Sequence, residues 1–227
     1  MNVYRISTFA KPNFGKFRNF ASLDCKECDD KFLAFDNFRG RPFPKKWRRI
    51  ELHFSEPLWP RADFYTFGRG KFVCNERAKK AAWPAMKDAG EFLPVSIEGE
   101  KETHYIFNVT RSGPYIDPTK SIWECGADET ANLDMRRLAA PAFNPDSFEK
   151  ETVFKIPESS GAIYCLERTG GEKEFKALIE GHKLTGLEFE LAWSKQSGPL
   201  PLKSPPAIKE LVWITGDGKK YKAAKRK

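Results

Sequence analysis

Cys25 and Cys28 stand at the Cys-x-x-Cys spacing that supplies half of a structural zinc site. Such a site needs four ligands, and the sequence has no second close pair. His53, Cys74 and His104 would complete it only by folding together, so the pair reads as an unligated surface turn, with no metal and no cofactor expected. A redox role would need a lowered thiol pKa, whereas the flanking Asp24, Glu27, Asp29 and Asp30 act in the other direction. Nucleophilic catalysis needs a base beside a Ser or Cys, and the three histidines, His53, His104 and His182, fall in no catalytic motif. Gly68-Arg69-Gly70 and Gly216-Asp217-Gly218 read as turns rather than phosphate loops. Glu188 and Glu190 lie about 7 Å apart on one strand face, a separation that would suit a glycosidase. Nothing in the sequence converges on them, so they read as solvated strand residues and no enzyme is expected.

The elements that must position these residues are mostly strands. Val3 to Phe9, Phe32 to Phe35, Ile50 to Phe54, Phe72 to Cys74, Ile122 to Cys125, Val153 to Ile156 and Ile163 to Glu167 have strand character. Alternation at Ile50, Leu52 and Phe54 turns His53 outward. Phe92 to Ile97 and Tyr105 to Val109 read as a hairpin across the polar turn Glu98 to Thr103. Asn75 caps a helix that buries Ala78, Ala82, Ala85 and Met86, is shortened or kinked by Pro84, and is closed by Gly90. A second helix carries Phe175, Leu178 and Ile179 and ends at Gly181; a short one is expected near Leu133 to Leu138. Leu187, Phe189, Leu191 and Trp193 alternate with Glu188, Glu190 and Ala192, which predicts a strand with one face in the core.

The fold class is therefore α+β: a largely antiparallel sheet with two main helices and a Pro-rich, basic C-terminal extension. Residues 1–194 are expected to form one domain. Within it, 1–49 is an irregular basic segment whose phenylalanines cover a sheet face. Residues 195–227 are read as a Pro-rich linker and basic tail.

Charge is unevenly distributed along the 227 residues. The net +8 divides into +7 over residues 1–50, −6 over 51–194 and +7 over 195–227. An acidic middle argues against a uniformly basic nucleic-acid binder, although a basic end could still touch nucleic acid. Five cysteines, an odd number, fit a reducing compartment. No run approaches the roughly 20 apolar residues of a membrane helix, and Arg5 sits in a mixed opening segment unlike a signal peptide. A soluble, cytoplasmic protein with no membrane partner is expected.

Residues 63–194 resemble a bacterial family of immunity proteins from polymorphic toxin systems, immunity family eleven, formerly a domain of unknown function. The stretches concerned are Asp63-Phe64; Phe72-Val73-Cys74-Asn75-Glu76-Arg77-Ala78; Gly90-Glu91-Phe92-Leu93-Pro94-Val95 leading to Tyr105–Val109; and Leu184-Thr185-Gly186-Leu187 through Trp193-Ser194. Pro84, the first segment and residues 195–227 depart from the family pattern. The resemblance implies a cytosolic protein that binds and neutralises a cognate toxin, and it brings no binding residues with it. Steric occlusion by a rigid surface would be the mechanism. The acidic residues Glu124, Asp128, Glu129, Asp134, Glu188 and Glu190 would then face a basic toxin such as a nuclease. The rival reading is a nucleic-acid-binding protein using its basic termini, including Lys219, Lys220, Lys222, Lys225, Arg226 and Lys227.

Overall fold

The computed structural model describes residues 1–8, 22–25, 32–55, 60–124, 137–200, 212–214 and 220–222; the last two segments, and Phe35, Glu124 and Arg137, are described by their backbone alone. In chain order the elements are β1 (Asn2–Ser7), β2 (Leu23–Asp24), β3 (Ile50–Phe54), β4 (Phe64–Thr66), β5 (Lys71–Cys74), α1 (Glu76–Met86), β6 (Gly90–Ile97), β7 (His104–Val109), β8 (Ile122–Glu124) and β9 (Arg137–Ala140). They continue with β10 (Val153–Phe154), β11 (Ile163–Glu167), α2 (Phe175–Gly181), β12 (Glu188–Ser194), β13 (Gly198–Pro199), β14 (Val212–Ile214) and β15 (Lys220–Lys222). The fold is α+β with mainly antiparallel pairing.

Two larger sheets carry the core. One has the order β2-β3-β6-β7-β5-β4, in which β3 and β6 run parallel and the other neighbours antiparallel; the other has the order β10-β11-β1-β12-β13. The helices pack on each other. Their apolar faces, Ala78, Ala82, Ala85 and Met86 from α1 and Phe175 and Ile179 from α2, join Phe72, Cys74 and Phe107 of the first sheet and Ile6, Ile163 and Cys165 of the second in one cluster. A second cluster covers the opposite face of the six-stranded sheet, where Phe32, Phe38 and Phe43 pack on Leu52, Val73, Val95 and Ile106. A third covers the opposite face of the five-stranded sheet, gathering Tyr115, Phe143, Phe148, Phe154, Tyr164 and Trp193.

Several expectations need correction. Phe32 to Phe35 is no strand: the Asn37 amide donates to the Phe32 carbonyl at 2.9 Å, and the chain closes into a 3-10 turn at Phe35–Phe38. Leu138 lies in β9, paired with β8 rather than in a helix, because an available strand partner overrides weak local helix preference. Gly90 does not close α1 but opens β6, where a Cβ would lie 2.2 Å from the Asn108 carbonyl oxygen. The alternation in β12 breaks. Val3 faces Trp193 while Tyr4 faces Leu191, so Ala192 is an extra residue. This bulge leaves Leu187 and Phe189 against the helices and turns Trp193 to the opposite sheet face. Gly198 and Pro199, expected to lie in a linker, form β13 and return to pair with β12.

Cys25 is disulfide-bonded, contrary to the free thiols expected from the odd count; Cys28 and Cys125 lie outside the described residues, and Cys74 and Cys165 are free and buried. Among the described residues no helix is long and apolar enough to cross a membrane.

Candidate functional site

The residues singled out from the sequence do not meet in one place. Glu188 and Glu190 lie half-buried on β12, opposite Ser7 and Arg5 of β1. Glu124 ends β8, and Asp128, Glu129 and Asp134 lie outside the described residues. Lys220 and Lys222 belong to β15, which pairs with β14; the expected Gly216–Gly218 turn and Lys219, Lys225, Arg226 and Lys227 lie outside the described residues. His53 is half-buried on β3 opposite Asp24. His104 is buried, with Nδ1 3.3 Å from the Glu102 carbonyl oxygen, and burial lowers its pKa. His182 is exposed just after α2. Among the described residues, no group of three or more His, Cys, Asp or Glu is arranged to hold a metal ion.

Two polar constellations do assemble. The first surrounds Asp63, immediately before β4. Its carboxylate accepts from Arg77 Nη1 at 2.8 and 2.9 Å, from Asn75 Nδ2 at 3.2 Å, and from the Thr185 backbone N–H and hydroxyl at 2.9 and 3.0 Å. Burial alone would raise the Asp63 pKa, but these donors bring it below the ordinary carboxylate value. Asn75 also caps α1 by accepting from the Ala78 N–H at 2.8 Å, and Arg77 reaches the His182 carbonyl at 2.8 Å. Next to Thr185, Gly186 adopts φ +97°, and a Cβ there would stand 2.0 Å from the Phe64 carbonyl oxygen. The node thus ties β4, the start of α1 and the segment after α2 into one unit.

The second constellation fastens residues 32–49 across the outer face of the six-stranded sheet. Phe43 lies between Phe32, Phe38 and Trp47, with ring centroids 5.0, 5.5 and 5.0 Å away. Polar pins supplement this packing. Lys155, fully buried, donates from Nζ to the Phe38 carbonyl and, at 2.6 Å, to the Gly70 carbonyl. Asn108 donates to the Arg41 carbonyl at 3.0 Å and to Glu91 Oε1 at 2.8 Å; the same carboxylate accepts the Phe43 N–H at 2.6 Å. Trp47 Nε1 donates to the Pro94 carbonyl at 2.9 Å. Gly40, at φ +76°, lies so close to Ser112 that a Cβ would be 2.6 Å from that residue's own Cβ.

Lys71, directly opposite Asn108 on β5, is also buried, with Nζ 4.3 Å from the Phe38 ring centroid. Burial lowers Lys155 to about 7, helped by the charge of Lys71, and lowers Lys71 to about 8. Among the described residues neither lysine has a carboxylate within ion-pair distance. Sequence reading missed Lys155, Lys71 and Asn108. The available signal was one polar residue inside each of Val153-Phe154-Lys155-Ile156 and Ile106-Phe107-Asn108-Val109, and Lys71 at the head of Phe72-Val73-Cys74.

These features describe a two-sheet α+β protein with a pinned basic strap on one outer face. No protein-family model and no curated protein sequence matches the chain.

Proposed function

We propose that this is an immunity protein that binds and neutralises a cognate bacterial toxin by steric occlusion. The observation that carries the reading is the Asp63 node. Asp63, Asn75, Arg77, Thr185 and Gly186 come from three of the stretches that resemble immunity family eleven, far apart in sequence, and they meet in one hydrogen-bonded unit. The resemblance therefore concerns a coherent structural unit rather than scattered strings. Rigidity suits occlusion, because a preorganised surface binds without the cost of ordering itself. Glu188 and Glu190 on β12 are the described carboxylates proposed to meet a basic toxin surface, where they would act chiefly on association rate.

Co-expression with the product of the reading frame immediately upstream of this gene, where an immunity role would place the toxin, is the direct test. The two proteins are expected to co-purify, and cells carrying both to survive a toxin that kills alone. A neighbouring toxin that is neither bound nor neutralised overturns the assignment.

A further inference from the structure

We propose that the strap of residues 39–49 is a sequence-independent docking surface for the phosphate backbone of nucleic acid. This goes beyond toxin neutralisation and does not rest on it. The segment Arg39-Gly40-Arg41-Pro42-Phe43-Pro44-Lys45-Lys46-Trp47-Arg48-Arg49 contains six basic residues and no acidic one, and all six are exposed. Phe43 is buried and Trp47 half-buried, so the aromatic side chains act as inward anchors while the cationic residues stay exposed, with Arg48 over the Phe32 ring at 4.7 Å, Arg41 donating to the Asp36 carbonyl at 3.1 Å and Arg49 to the Thr103 hydroxyl at 3.5 Å. A basic run of this kind in an unanchored chain would spread its charge over many conformations. Here hydrogen bonds to Asn108, Glu91 and Pro94 hold it, and Lys155 ties the preceding Phe38 carbonyl to that of Gly70.

The pins fix its extent as well. They cross from β5 through β7 to β6 and then follow β6 from Glu91 to Pro94. With strands about 4.8 Å apart and a rise of about 3.3 Å per residue, the crossing and the run along β6 are each about 10 Å and lie at right angles, so the pins span roughly 14 Å end to end. One strand of duplex DNA presents a phosphate about every 3.4 Å, so this span faces about four phosphates. Two more exposed cations border it. Arg69 precedes Gly70, which shares the Lys155 ammonium with Phe38, and Arg111 precedes Ser112, which abuts Gly40. Asp36, paired with Arg39 at 2.6 Å, is the carboxylate at the near end, and Glu51 follows the far end.

An acidic protein is the competing occupant, and the composition of the surface disfavours it. Protein interfaces centre on apolar and aromatic anchors and are depleted in lysine. The strap instead offers cations and prolines outward and keeps both aromatic residues inward. The same inward placement leaves no platform for base stacking, so duplexes of unrelated sequence should bind alike.

Fluorescence anisotropy of the full-length protein with two labelled 20-base-pair duplexes of unrelated sequence, at 50 to 200 mM salt, tests this. The two affinities are expected to agree within about threefold, with log K falling against log salt at a slope of about −4, as four or more neutralised phosphates require. Lys45→Ala/Lys46→Ala, both exposed, should leave the unfolding midpoint unchanged, reduce the slope by about 2 and weaken binding by about tenfold. Lys225→Ala/Arg226→Ala/Lys227→Ala is the control for the C-terminal tail. Absence of binding at 50 mM salt overturns the proposal. So does a strap variant that keeps the wild-type slope while the tail variant loses it. Competition by polyglutamate at the same charge concentration as DNA would assign the surface to an acidic protein instead.

Discussion

Lys155 carries an ammonium group into a fully buried position, where its described hydrogen-bond partners are the carbonyls of Phe38 and Gly70. Its pKa of about 7 in the native protein lies below the roughly 10.4 of an unfolded chain. Between those values the unfolded chain binds a proton that the native protein lacks, so stability rises with pH; below about 7 the native state holds the buried charge and gains nothing from this source. Lys71 acts in the same direction from about 8 upward. The urea unfolding midpoint is therefore expected to increase from pH 7 to about pH 8.5, above which the Cys74 and Cys165 thiols, pushed up by burial, act in the opposite direction. Lys155→Met, which cannot titrate, should have a flatter profile and be the less stable protein at pH 9.5, because two carbonyls lose their donor at about 1–3 kcal/mol each. The gap should narrow at pH 6. A wild-type midpoint that stays level from pH 7 to about pH 8.5 would refute the burial of an amine without a carboxylate partner. The sequence marks Lys155 only as one polar residue inside a short apolar run; its burial and its two carbonyl partners are set by the fold.

At the scale of elements, local signals predicted what local physics controls. Asn75 caps α1 as expected, and the buried face of that helix is the one its spacing indicated. Pro84 is tolerated because it lies in the last turn, where only one carbonyl loses its helical donor. α2 ends at Gly181 as expected, but not through a left-handed glycine. Gly181 is still helical, and the left-handed residue is Lys183 at φ 51°. Lys183 N–H bonds to the Glu180 carbonyl at 3.0 Å and Leu184 N–H to the Ile179 carbonyl at 2.9 Å, a Schellman cap with a lysine where glycine is usual. Leu184 and Ile179 share the same apolar cluster, and that contact favours the cap despite the backbone strain. Lys183→Gly is expected to stabilise the protein by about 0.5–1 kcal/mol in urea unfolding, by relieving the left-handed strain. A loss of stability would show that the lysine side chain contributes more than its backbone conformation costs. The bulge at Ala192 was equally hidden. The strand alternates well in sequence, and only pairing with β1 on one side and β13 on the other creates the extra residue.

For the molecule as a whole, the strap joins the six-stranded sheet to the segment carrying Lys155, so Phe38 supports a cluster that spans distant parts of the chain. Phe38→Ala should cost about 3–5 kcal/mol through the cavity it leaves. Hydrogen exchange is expected to quicken in residues 32–49 more than in α1; equal acceleration in both would mean that the strap opens only with global unfolding. The sequence by itself determined the α+β class, the capped first helix, the β6–β7 hairpin and the separation of charge between the ends and the middle. Each follows from periodicity, capping or composition over a few neighbouring residues. Only the tertiary structure decided that Asp63 meets Arg77 and Thr185, that Lys155 holds Phe38 and Gly70, and that the first basic segment lies anchored with its cations outward. These contacts join residues up to 122 positions apart, and no local spacing encodes which distant backbone carbonyl or carboxylate a buried polar side chain will find.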